Sequence, residues 1–206
     1  QSINQIGEYA FSNCSSLTTF TFPNEMTEIK EAVLGDCSSL NQIVLPSAVV
    51  SIGDSAFAGC KALAAVILPE SVQSIGKYAF SRCEGLENID IPEKVTSISG
   101  YTFSDCSNLK SITFAEGITS LGEYSFQNCK SIEELILPKH LETIGNYTFS
   151  NCTQLKKVIF EGSAPEIADY AFSGVEATCY YPKNDDTYSN KITTSDFGGD
   201  LIWTYE

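Results

Sequence analysis

Apolar residues along this chain recur at a fixed interval of 23 residues. One aliphatic column steps by that interval without an insertion, at Ile6, Ile29, Ile52, Ile75, Ile98, Leu121, Ile144 and Ile167. A second column, five positions later, is almost entirely phenylalanine, at Phe11, Leu34, Phe57, Phe80, Phe103, Phe126, Phe149 and Phe172. A strict period of roughly 20 to 50 residues indicates stacked repeats, each of which buries its apolar face against the next.

The first half of each unit alternates apolar and polar residues with a period of two. Phe20 and Phe22 of one unit correspond to Ile43 and Leu45 of the next, and proline follows at positions 23, 46, 69, 92 and 138. This alternation predicts a β-strand with one buried face, and proline ends the pairing because it has no N–H to donate. Strands stacked in register about 4.8 Å apart predict a continuous parallel sheet.

The second half of each unit carries an A-F-x-x-C pattern, as in "IGDSAFAGC" (52–60) and "IGKYAFSRC" (75–83). Its three-residue spacing predicts a short 3₁₀ or helical turn on the way back to the next strand. Together the two halves predict a leucine-rich-repeat solenoid with 23-residue repeats. We expect a right-handed α/β superhelix with a parallel β-sheet on its concave face and short 3₁₀ or helical turns on the return side.

The pattern changes towards the C-terminus. The spacing from Phe172 to Pro182 is two residues shorter than in the preceding unit, and a polar stretch then leads to the only tryptophan, Trp203. Terminal units of a solenoid cover its core and are atypical. We therefore predict a repeat array over residues 1–174, of about eight coils with the first one truncated. Residues 175–206 are predicted to form a C-terminal cap in which Trp203 packs on the last coil.

At these repeats the sequence resembles the BspA-like bacterial surface antigens with treponemal-type leucine-rich repeats. The resemblance covers residues 3–174 and is carried by segments such as "IGEYAFSNC" (6–14) and "IGNYTFSNC" (144–152). It implies a secreted or cell-surface bacterial protein associated with adhesion, host-matrix binding and co-aggregation, and it carries over no catalytic residues. The second unit, "IKEAVLGDC" (29–37), departs from the pattern because it lacks the glycine, the tyrosine and the phenylalanine.

Composition narrows the classes of partner. Of the 206 residues 43% are hydrophobic, which is typical of a globular chain, and the formal net charge is −14. That charge argues against nucleic acid and against docking on anionic lipid, since both need an excess of Lys and Arg. No run of about 18 apolar residues occurs, so we expect no membrane insertion by this segment. We expect a monomer with a protein partner, either a host matrix protein or another bacterial surface protein.

The repeated cysteines could form a metal site or disulfides, or they could be buried as free thiols. Seven stand at one repeat position, from Cys14 to Cys152, and Cys179 lies outside that column. Zinc sites need closely paired cysteines, and stacked Cβ atoms about 4.8 Å apart exceed the ~3.8 Å of a disulfide. We expect buried free thiols that act as small hydrophobic side chains, with a Cys152–Cys179 disulfide as the alternative.

No other residue pattern points to catalysis, and we expect no enzyme, metal or cofactor. The single histidine, His140, stands in a loop segment without a partner motif and is interpreted as an exposed surface residue. A tyrosine column leaves two readings open, since it either packs along the convex side or binds a ligand. Its members are Tyr9, Tyr78, Tyr101, Tyr124, Tyr147 and Tyr170.

The outward strand positions form the candidate binding site, because a solenoid usually binds through its concave sheet. Four aliphatic side chains predict an apolar stripe there, which marks either an interaction surface or plain strand propensity. The candidate residues are Thr21, Val44, Ile67, Asp90, Thr113, Ile136 and Ile159, with Gln42, Asn88, Glu134 and Lys157 beside them. We predict a non-enzymatic protein-binding or adhesion module. The alternatives are a structural spacer and a glycan-binding appendage of a larger secreted protein.

Overall fold

The computed structural model describes residues 5–189, 191–192 and 197–205, and its strands fall into two series. The longer strands are β1 (Thr19–Thr21), β3 (Gln42–Val44), β6 (Asn88–Asp90), β8 (Ser111–Thr113), β10 (Glu134–Leu137), β12 (Lys157–Phe160), β14 (Glu176–Tyr181) and β15 (Asp200–Tyr205). The shorter strands are β2 (Glu28–Ile29), β4 (Ser51–Ile52), β5 (Ser74–Ile75), β7 (Ser97–Ile98), β9 (Ser120–Leu121), β11 (Thr143–Ile144) and β13 (Glu166–Ile167). We call these the long-strand sheet and the short-strand sheet.

Every pairing between repeats is parallel and advances by one repeat. Phe20 pairs with Ile43 in the long-strand sheet, and Ile144 pairs with Ile167 in the short-strand sheet. This is the register that the 23-residue period predicts, because each coil then places equivalent side chains above one another. The predicted solenoid of parallel strands is confirmed.

The phenylalanine column forms the centre of the core. From Phe57 to Phe172 all six rings are fully buried and lie nearly parallel to one another. Phe103 lies 5.5 Å from Phe80 and 5.4 Å from Phe126 between ring centroids. The aliphatic columns surround these rings, so each coil rests on an apolar layer that it could not bury alone.

The prediction of helical turns on the return side is wrong, and with it the α/β description of the superhelix. Among the described residues the single helical element is a 3₁₀ turn over Asp186–Tyr188, outside the repeats. Backbone angles explain this, since φ is positive at Tyr78 and again at Arg82, and the same pair of positions recurs in most coils. Two left-handed residues four positions apart stop any helix from propagating.

The return segments instead form a third hydrogen-bonded ladder, which we call the turn ladder. Phe57 N–H donates to the carbonyl of Ala79 at 2.8 Å, and Phe80 N–H donates to that of Thr102 at 2.9 Å. Equivalent bonds join each coil to the next, up to the bond from Phe172 N–H to the carbonyl of Phe197. Between these bonds, i to i−3 bonds such as Cys83 N–H to Phe80 carbonyl close single turns.

The two sheets, unlike the turn ladder, are interrupted. Segment 65–67 stands where the third long strand is expected. Among the described residues no backbone hydrogen bond joins it to β3, and one isolated bridge, Ala65 to Asn88, joins it to β6. Over the same part of the chain the long-strand sheet is also divided between β8 and β10, and the short-strand sheet between β5 and β7.

The C-terminal strands continue the long-strand sheet. β14 pairs with β12, and β15 pairs with β14 in parallel register, so Cys179 follows Val158 and Trp203 follows Cys179. The Trp203 indole packs 5.4 Å from Phe160 and 6.2 Å from Tyr188 between ring centroids. The division into an array and a cap at residue 175 stays a proposal, and residues 1–4, 190, 193–196 and 206 of those ranges lie outside the described residues.

Candidate binding face

The predicted binding residues lie on the outer side of the long-strand sheet. Most of them are exposed, namely Thr21, Gln42, Val44, Ile67, Asn88, Asp90, Thr113, Glu134 and Ile136. Ile67 is 87% exposed, the largest fraction among the large hydrophobic side chains that the structure describes. Since strand alternation turns the neighbouring residues inward, these outward positions are free of any demand from the core.

The predicted apolar stripe is divided into two pairs. Val44 and Ile67 stand on successive coils, whereas Asp90 and Thr113 separate them from Ile136 and Ile159. Lys157 and Ile159 are half-buried. The reason is that β14 places Thr178 and Tyr180 directly beside them, a consequence of the added C-terminal strands.

Polar side chains on the same face pair with each other along the solenoid. Lys157 Nζ lies 3.0 Å from Glu134 Oε1, and Ser111 Oγ donates to Asn88 Oδ1 at 2.7 Å. Both pairs join residues one repeat apart, so identical spacing places donors over acceptors. The exposed ion pair of Lys157 and Glu134 contributes about 0–1 kcal/mol to stability.

A groove opens on this face at the third coil. It measures about 760 Å³ and lies between β3 and segment 65–67, with Gln42, Val44, Ala64, Ala65, Ile67 and Pro69 among its lining residues. We call it the third-coil groove. Sequence reasoning placed Val44 and Ile67 on the face but missed the groove. The sequence signal for the groove is the pair Ala64 and Ala65, because the other units carry larger side chains at these two positions.

The tyrosine column packs from Tyr78 to Tyr170, as the first of the two readings predicted, whereas Tyr9 is exposed and lies outside the stack. Tyr101 stacks 4.6 Å from both Tyr78 and Tyr124 between ring centroids, and the stack continues through Tyr147 to Tyr170. Each ring in the middle of the stack presents its faces to two other rings. For these middle rings only the edges and hydroxyl groups remain for a ligand, so they offer no aromatic platform.

The cysteine column has a hydrogen-bonding role that the sequence did not reveal. Cys83 Sγ donates to the carbonyl of Phe57 at 3.2 Å, and Cys106 Sγ donates to that of Phe80 at the same distance. Seven of the eight cysteines are buried, all eight are free thiols, and Cys14 is exposed. Burial raises the pKa of the Cys60 and Cys152 thiols to about 12. The expectation of buried free thiols is confirmed for the column from Cys37 to Cys152 and is wrong for Cys14, which is exposed. Cys179 is likewise a buried free thiol and not the disulfide partner of Cys152.

No arrangement of ligating or titratable groups stands out on the described part of the chain. His140 is exposed, and no group of three or more His, Cys, Asp or Glu side chains is placed to hold a metal ion there. Within the same residues, no helix combines the length and the apolar character that crossing a membrane requires.

Comparison with known proteins gives one family. The family model for the BspA type leucine rich repeat region matches residues 1–98 and 73–190, with six copies of the repeat. These ranges cover most of the chain. No curated protein matches the sequence significantly.

Several solved bacterial structures share the fold. A leucine rich repeat protein of Treponema pallidum is 21% identical over 98% of this chain and 81% of its own, with a TM-score of 0.57. A leucine rich cell surface protein of Faecalibacterium prausnitzii is 22% identical over 98% of this chain, with a TM-score of 0.56. A leucine-rich repeat protein of Bacteroides ovatus is 24% identical over 87% of this chain, with a TM-score of 0.51. The chain spans 64% and 59% of the latter two proteins.

Proposed function

Since the chain belongs to the BspA type leucine rich repeat family, we propose that it is a non-enzymatic, secreted or cell-surface bacterial module that binds protein. The binding surface is the outer face of the long-strand sheet. A solenoid suits this role because its repeated core supports outward side chains that do not affect folding. The surface location is supported by one similar structure, which is that of a cell surface protein.

One observation carries the proposal, the exposure of aliphatic side chains on that face. Val44 and Ile136 are each 49% exposed and Ile67 is 87% exposed, although nothing in the core requires an apolar residue at these positions. Burying such side chains against a partner contributes about 25 cal/mol per Å² before the cost of association. The flanking ion pair of Glu134 and Lys157 would orient the partner rather than supply affinity.

The return side of the solenoid, which carries the tyrosine column, is less suited to a ligand. The tyrosine rings there are stacked on one another, which disfavours a glycan-binding appendage that would use aromatic faces. The net charge of −14 repels a second copy of the chain, in keeping with a monomer.

The test is surface capture of the full chain on a panel of purified host extracellular-matrix proteins and bacterial surface proteins. Where wild type binds, the double variant Ile67→Glu with Ile136→Glu should bind at least about tenfold more weakly, because it places charge in the apolar contact. Circular dichroism of the variant should match that of wild type.

A matched control carries the same charges on the return side, Lys77→Glu with Asn146→Glu, and should bind like wild type. Equal capture of the sheet-face variant and wild type would contradict the choice of face. If wild type binds no member of the panel, the result favours a structural spacer over a binding module.

A further inference from the structure

The third-coil groove has a floor that no other repeat has. Ala64 and Ala65 form it, and the equivalent positions of the neighbouring coils carry Asn41 and Gln42 on one side and Glu87 and Asn88 on the other. The alanines therefore leave a depression between two rows of longer polar side chains. Val44 and Ile67 form the apolar part of its wall.

The backbone at this groove is also unusual. No hydrogen bond joins residues 42–44 to residues 65–67 among the described residues, whereas β1 and β3 are paired. Main-chain N–H and C=O groups that lack a sheet partner thus border the groove. The two coils stay joined beside the gap, for example by Ser71 Oγ donating to the carbonyl of Ser47 at 2.8 Å. A bound peptide therefore lies along the groove and is not inserted as a further strand of the sheet.

The charged groups near the groove that lie outside ion pairs are carboxylates. Its lining contains no charged residue. The carboxylate of Glu87, one repeat beyond Ala64, is already paired with Lys110. The other carboxylates nearest in sequence and register are those of Glu70, beside Pro69, and Asp90, one repeat beyond Ile67. Both are exposed and neither lies within ion-pair distance of a cation on the described part of the chain. Lys61 and Lys110, by contrast, are paired with Glu84 and Glu87 at 2.8 Å each.

We propose that the third-coil groove binds an extended, basic peptide segment of a partner protein, with aliphatic side chains at alternate positions and Lys or Arg beside them. The aliphatic side chains fill the depression over Ala65, and the basic residues meet Glu70 and Asp90. A second copy of this acidic chain does not fit that description. This inference rests on the proposed function, because it names the class of partner for the same face.

The length of the peptide follows from the groove. Its lining on the β3 side extends from Asn41 to Ser47. At about 3.3 Å per residue an extended segment of roughly seven residues covers that distance, with side chains on one face at every second position.

The probe is a displayed library of random heptapeptides selected on the immobilised full chain. We expect enrichment of sequences that alternate Val, Ile or Leu with other residues and contain Lys or Arg. The key variant is Ala65→Lys, which fills the groove and adds a positive charge to it. It should fold, since lysine already occupies the equivalent position 157. The matched control is Ser111→Lys, which adds the same charge to the same column two coils away.

Enriched peptides should bind Ala65→Lys at least about tenfold more weakly than wild type, and Ser111→Lys with little change. The proposal is overturned if no peptide is enriched, if the enriched peptides are acidic or lack aliphatic residues, or if Ala65→Lys binds them as wild type does. Capture of a matrix protein that survives Ala65→Lys but fails in the Ile67→Glu, Ile136→Glu variant would refute the groove and retain the face. Binding of the selected peptides without capture of any matrix protein would retain the groove and refute a matrix protein as the partner of this face.

Discussion

Arg82 extends across a whole coil to Asp36, so that its Nη2 atom lies 3.1 Å from Asp36 Oδ1. The residue in the intervening coil is Gly59, with φ of +73°, and a Cβ atom there would lie 2.2 Å from the same carboxylate oxygen. The absence of a side chain at Gly59 is what lets the two charges meet across 46 residues of sequence.

Gly59→Ala should lower the free energy of unfolding by about 1–2 kcal/mol, through left-handed backbone strain and displacement of Asp36. Gly59→Asn should cost less, since asparagine tolerates positive φ and stands at this position in other coils. Urea denaturation followed by circular dichroism measures both. Asp36→Asn isolates the exposed ion pair and should cost under about 1 kcal/mol. Equal losses for Ala and Asn at position 59 would show that the backbone angle is not the cause.

Ser125 has the one buried side-chain polar atom that lacks a hydrogen-bond partner among the described residues. The hydroxyl groups at the equivalent position of the two neighbouring coils do form hydrogen bonds. Thr102 Oγ1 donates to the carbonyl of Ser99 and Thr148 Oγ1 donates to that of Gly145, each at 2.8 Å. Ser125→Ala should therefore be neutral or stabilising by up to about 1 kcal/mol, since an unpaired buried hydroxyl is costly. Thr148→Ala should destabilise by about 1–3 kcal/mol. Thermal melts compare them, and a clear loss for Ser125→Ala would contradict the assignment.

Phe103 is fully buried between two parallel rings. Phe103→Ala should cost about 3–5 kcal/mol, because it removes a core aromatic side chain and leaves a cavity in a central coil. The control is Phe11→Ala, at the half-buried end of the column, which should lower the free energy of unfolding by less. A loss below about 1 kcal/mol for Phe103→Ala in urea would mean that this column does not hold the coils together.

The buried thiols predict how many cysteines react. In the native protein a thiol reagent should label Cys14 rapidly and the seven buried cysteines slowly. After unfolding without reductant, all eight should react. Fewer than eight would indicate disulfides, and rapid labelling of several native thiols would contradict their burial.

The same thiols predict the dependence of stability on pH. Burial raises the pKa of Cys60 and Cys152 to about 12, whereas an unfolded cysteine has a pKa near 8.5. Above that value the unfolded state releases a proton that the folded state keeps, so stability is present below about pH 8.5 and is lost as the pH rises. Each such thiol should subtract about 1.4 kcal/mol per pH unit between roughly pH 9.5 and 10.5. Cys152→Ala should make that slope shallower, and an unchanged slope would contradict the shift.

The sequence predicts the stacking of coils well because the core makes the same demand in every repeat. Phe57, Phe80 and Phe103 must stand above one another, so a single period in apolar residues determines the register. The return segment was mispredicted because its conformation depends on positive φ at residues such as Tyr78 and Arg82, and neither residue type signals that region. Ala64 and Ala65 signal a lack of side-chain volume at the third-coil groove, but the missing hydrogen bonds between residues 42–44 and 65–67 have no counterpart in residue type.

The contrast between the interrupted sheets and the uninterrupted turn ladder has a mechanical consequence. Between the third and fourth coils the short strands are unpaired and the long ones share one bridge, yet Tyr78, Phe80 and Arg82 all donate to the next coil along the return side. Bending of the solenoid would therefore stretch the turn ladder little and would separate the strands of the two sheets more easily. Flexing would concentrate between the third and fourth coils, where it would change the spacing of the strands while the return side keeps its length.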